Sequence, residues 1–71
     1  MRLVEFLQIP YGHNGLMTDH MQPIRINPEG VVALADPLVA SDVAATVIHT
    51  RCGSYTVEGA MHRVAAKLEG V

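Results

Sequence analysis

The sequence predicts one α+β domain over residues 1–71: a small antiparallel sheet of four to five short strands with one C-terminal amphipathic helix. Three observations carry this. Short apolar stretches recur between Gly, Pro, Asn and Asp turn signals along most of the chain. Only the last segment repeats its apolar residues at helical spacing, so no strand-helix-strand crossover is available. A chain of 71 residues that is 49% apolar and 17% charged wants to fold, and is too short for two independent cores.

The elements follow in order. Residues 3–9 read as a strand with Leu3, Leu7 and Ile9 on one face around Glu5, and Val4 and Phe6 on the other; apolar side chains on both faces place it centrally or at an interface. Periodicity stops over residues 10–23, where Gly12, Asn14 and Gly15 suit positive φ, and this stretch reads as a long loop of the kind that carries function. Residues 24–27 form a short strand. Asn27-Pro28-Glu29-Gly30 then makes a turn in which Pro28 fixes φ, and the β-branched run 31–35 returns as a strand. A second loop, 36–42, leads to a strand over 45–50, with Ala45, Val47 and His49 on one face and Thr46, Ile48 and Thr50 on the other. Arg51-Cys52-Gly53-Ser54 reads as a hairpin turn into a strand over 54–56.

The helix is expected over 57–69. Thr56 serves as its N-cap, Glu58 favours the positive end of its dipole, and Gly70 closes it. Val57, Met61, Val64, Ala65 and Leu68 fall on one arc; Glu58, His62, Arg63, Lys67 and Glu69 occupy the other side, with Glu58 and His62 one turn apart.

Charge and cysteine narrow the function classes. The net charge is −2 and the five basic residues are scattered, which argues against a nucleic-acid partner. Cys52 is alone, so no intrachain disulfide forms, and a free thiol suits the cytoplasm. The apolar run at the start is interrupted by Glu5 and is too short for a signal or membrane segment, so no membrane is expected as a partner. At this size burial and chain entropy nearly cancel, and self-association is the most economical supplement to the core.

Metal and catalytic sites are thinly supported. His49 and Cys52 are weak metal candidates at H-x-x-C spacing, but a zinc site takes four convergent ligands, so neither a metal nor another cofactor is expected. A nucleophile would be Cys52 with His49, or Ser54 with a histidine and Asp42, although the turn Cys-Gly-Ser is explained by backbone needs. Glu5, Asp19, Asp36, Asp42 and Glu58 make no paired-carboxylate motif. The candidate binding set is the loop: Tyr11, His13, Asn14, Met17, Asp19, His20 and Met21. Met17 and Met21 suit an adaptable binding surface but better suit filling the edge of a small core, and Gly12 to Gly15 makes only a weak anion nest.

Ile26-Asn27-Pro28, Val31-Val32-Ala33-Leu34, Thr46-Val47-Ile48-His49-Thr50, Gly53, Val57-Glu58 and Val64 together resemble the small flagellar FlbD family, the swarming-motility proteins, over residues 24–71. The resemblance implies a cytoplasmic, non-enzymatic accessory protein acting through protein contacts, with no catalytic residues to carry over. The 11–22 insertion, the 36–42 loop and Gly59-Ala60 depart from that family's pattern. The reading that results is a small non-catalytic homo-oligomeric module binding a protein partner through its sheet edge or long loop. One alternative is an oligomeric small-ligand binder or sequestering protein of the phage host-inhibiting type, with a pocket between subunits. The second is a metal- or thiol-dependent enzyme using His13, His20, His49 or Cys52.

Overall fold

A computed structural model describes residues 2–13, 15–39 and 42–70. Among these residues there are seven strands and one α-helix: β1 (Val4–Gln8), β2 (Tyr11–Gly12), β3 (Gly15–Leu16), β4 (Gln22–Ile26), β5 (Val31–Ala35), β6 (Ala45–Thr50), β7 (Gly53–Glu58) and α1 (Met61–Glu69). Five of them form one antiparallel sheet in the order β4-β1-β7-β6-β5, and β2-β3 is a separate ribbon. This is the α+β architecture that the sequence predicts.

The sheet cannot be flat. Four strand spacings of ~4.8 Å would part β4 and β5 by about 19 Å. Yet only residues 27–30 join these two edges, and with a 3₁₀ turn at Pro28–Gly30 they reach roughly 13 Å. The sheet therefore curls, bringing both halves onto one cluster of Val4, Phe6, Ile26, Ile48, Val57 and Val64. Asn27 starts the 3₁₀ turn, its Oδ1 accepting from the Glu29 amide at 3.0 Å.

Several boundaries correct the sequence reading. The stretch 10–23 is no structureless loop: Tyr11 pairs with Leu16 and Gly12 with Gly15, and the Met17 amide donates to the Pro10 carbonyl at 2.8 Å. Gly12 fits closely there: a Cβ on it would stand 2.7 Å from Met17 Cγ, so the Met17 side chain would have to move. β4 begins two residues earlier than expected because Pro23 is tolerated on an edge strand. On β1 only the face with Val4 and Phe6 is core; Leu3 and Leu7 are exposed, while Ile9 is buried and its amide donates to the Thr56 carbonyl at 2.8 Å.

The largest correction is at the helix start. Residues 57 and 58 belong to β7, where Val57 pairs with Thr46 and Glu58 with Ala45. Two bonds pin the end of this ladder: Thr46 Oγ1 donates to the Gly59 carbonyl, and the Gly59 amide donates to the Ala44 carbonyl, both at 2.8 Å. Gly59 then turns the chain at φ 124°, and Ala60 rather than Thr56 precedes the helix, without a side-chain cap. Glu58 and His62 thus share no helix. Val64 is buried and Leu68 half-buried, but Met61 is exposed. Gly70 does end the helix in the left-handed region. Arg2 reinforces that end by donating from Nη2 to the carbonyls of Lys67 and Leu68, at 2.8 and 2.7 Å. Lys67 in turn ties the helix to β1, its Nζ donating to the Glu5 carbonyl at 2.7 Å and lying 4.7 Å from the centre of the Phe6 ring.

Candidate functional site

The predicted binding loop folds as a flap on the sheet. Tyr11 is exposed, and its hydroxyl accepts from Thr56 Oγ1 at 3.2 Å, which docks the β2-β3 ribbon onto β7. His13 lies at the ribbon tip, exposed, and Asn14 lies outside the described residues. Met17 and Met21 are half-buried. Met17 separates two open depressions: one of about 340 Å³ bounded by Gln8, Pro10, His20 and Gln22, the other of about 330 Å³ bounded by Gly12, His13, Leu16 and Asp19. Asp19 and His20 face each other at 3.7 Å in the open. The structure thus gathers Met17, His20, His13 and Asp19 around one ridge and sends Tyr11 to the sheet.

Cross-strand pairing brings together a second pair. His49 and Ser54 are partners on the β6-β7 hairpin, and His49 Nδ1 lies 2.7 Å from Ser54 Oγ. A nucleophilic serine also needs a group orienting the imidazole and donors for an oxyanion. Among the described residues no carboxylate bonds His49, and neither His49 nor Ser54 lines the concavities beside β4 or beside the helix. Cys52 is exposed at the hairpin tip, its amide donating to Thr50 Oγ1 at 3.2 Å, and no hydrogen bond joins it to His49. Among the described residues no three His, Cys, Asp or Glu side chains gather where a metal could sit.

A further concavity involves, Cys52 apart, residues that the sequence reading did not single out as functional. A cleft of about 410 Å³ lies between Ile24, Arg25 and Ile26 of β4 and the β6-β7 hairpin end, where half-buried Tyr55 and exposed Arg51 and Cys52 line it. Asn27 and Gly30 of the turn between β4 and β5 complete its lining, and no carboxylate lines it. Alternation around Pro23 and the turn at 27–30 are the sequence marks of this edge. What they cannot reveal is that Arg51 comes to it; its amide donates to the Gly30 carbonyl at 3.2 Å.

The opposite edge is different in kind. β5 reads Val-Val-Ala-Leu-Ala with neither charge nor proline, and its register slips at Val32, which is 63% exposed. Just beyond it Leu38 is 102% exposed and Val39 37%.

No helix among the described residues is long and apolar enough to cross a membrane. No family model, curated protein or solved structure matches this chain.

Proposed function

We propose that this chain is a small, non-catalytic interaction module of the cytoplasm that assembles with copies of itself and holds a protein partner. The observation that carries this is the β5 edge. Open strand edges pair with other chains unless charge, proline or a bulge blunts them. β5 has only the bulge, which turns Val32 outward and leaves Ala33 to Ala35 in regular pairing, next to the exposed Leu38 and Val39. A second copy docking edge to edge would continue the sheet and cover these aliphatic side chains. The resemblance of residues 24–71 to the FlbD family supports the same class of accessory protein, and the exposed lone thiol of Cys52 suits a reducing compartment.

Sedimentation equilibrium of the full chain tests the reading. We expect a dimer or higher species at micromolar concentration, and a monomer for Val32→Lys, whose exposed position keeps the change in folding stability within about 0.5 kcal/mol. A wild-type chain that stays monomeric up to millimolar concentration would overturn self-assembly.

A second reading has one observation behind it. Met17 and His20 share an open depression, which suits a small ligand. In that reading His20→Ala weakens ligand capture and leaves the melting temperature unchanged.

A further inference from the structure

We propose that the β4 cleft binds an extended acidic-apolar segment of the partner as an added strand. This rests on the interaction-module reading above and deepens it, by giving the partner a chemistry and a place separate from the self-association edge.

The argument starts from backbone. β4 is hydrogen-bonded only to β1, so its other side is free. A proline inside a strand sits with its nitrogen on the unpaired side. Pro23 pairs with Leu7 in the β1-β4 register, so alternation puts the backbone N–H and C=O of Arg25 on that same free side, facing the cleft. From Ile24 to Ile26 the edge is ~7 Å long, which matches three residues of an added strand.

Side chains supply the selectivity. An added strand presents alternate residues to opposite faces. One set meets the half-buried Ile24 and Tyr55, an apolar surface that suits aliphatic groups. The other set meets cations. Among the described residues Arg51 has no ion-pair partner, and Arg25 has only the exposed Glu5, at 3.5 Å. With no carboxylate in the lining, the cleft repels basic segments and favours Glu or Asp flanked by aliphatic residues.

The test is an NMR titration of the full chain with Ac-Val-Glu-Val-Glu-Val-NH2, its lysine analogue, a version N-methylated on the backbone, and hexanoate. We expect saturable shifts centred on residues 24–26 and 51 with the acidic peptide only, together with slowed exchange of the Arg25 amide. Arg51→Gln should weaken binding roughly fivefold or more, and Arg51→Glu should transfer preference to the lysine peptide. Arg63→Gln, on the helix, should change nothing. Equal binding of the N-methylated peptide would overturn strand addition, and equal binding of hexanoate would make the cleft a small-ligand pocket instead. Shifts confined to β5 would reassign the occupant to another copy's surface. Sedimentation of the same samples separates the two readings: self-association without peptide binding sinks only the cleft, and peptide binding by a monomer sinks only the assembly.

Discussion

The two edges of the sheet, β4 and β5, are five residues long each and sit four residues apart in sequence, yet they are built to opposite specifications. β4 carries Pro23 and Arg25, which discourage indiscriminate pairing, and it borders a cleft with its own charge. β5 carries only aliphatic residues and a single slip at Val32. Under the proposed function this asymmetry puts selectivity at β4 and adhesion at β5, and it gives each substitution below something to break.

The largest effect belongs to the core that both edges share. Ile48 is fully buried at the centre of the cluster joining the β1-β4 half of the sheet to the β5-β6 half. Ile48→Ala should cost about 2–5 kcal/mol of folding free energy, read by urea denaturation. If the sheet is one curled unit, amides on β4 and β5 lose exchange protection together. Protection surviving on β4 alone would separate the two halves and undo the comparison.

A smaller and more local loss is expected at the flap. The Cβ of Gly12→Ala would have to displace the Met17 side chain from 2.7 Å, at a cost of roughly 1–3 kcal/mol. The ribbon should shift on β7 and free the Tyr11 hydroxyl from Thr56. Neither edge is part of that contact, so calorimetry should show a lower melting temperature while the sedimenting mass stays as in the wild type.

How far the sequence discloses this arrangement depends on the range of the interactions involved. β5 and β6 are legible to the residue, because β-branched runs bounded by Pro, Gly and Asp announce themselves locally. The β2-β3 ribbon is not, since two-residue strands are too short for any period, and the approach of Gly12 to Met17 is tertiary. Residues 56 to 58 mislead for a related reason. Thr56 and Glu58 look like the opening of a helix, but the β6 partners that hold Val57 and Glu58 in a strand lie about a dozen positions earlier. The His49-Ser54 pair was within reach of hairpin register, whereas the cleft was not: Ile24 and Arg51 line it from β4 and from the β6-β7 turn, which are not neighbours in the sheet.

The smallest expected effect on stability gives the sharpest test of the asymmetry. Pro23→Val leaves the pairing with Leu7 possible and places a new N–H on the free side of β4, beside the backbone groups of Arg25. The exposed position keeps the change in folding stability within about 0.5 kcal/mol. Assembly should respond far more than stability. If β5 is the self-association edge, a second unguarded edge would let copies add at both ends, so light scattering should show open-ended growth with concentration where the wild type would stop at a closed species. Open-ended growth that disappears in the Pro23→Val, Val32→Lys double variant would locate adhesion at β5, because a β4 edge opened alone could meet only another β4 and would stop at a closed dimer. Unchanged mass in Pro23→Val would mean that Arg25 and the curl of the sheet, rather than the missing donor, keep β4 reserved for its partner.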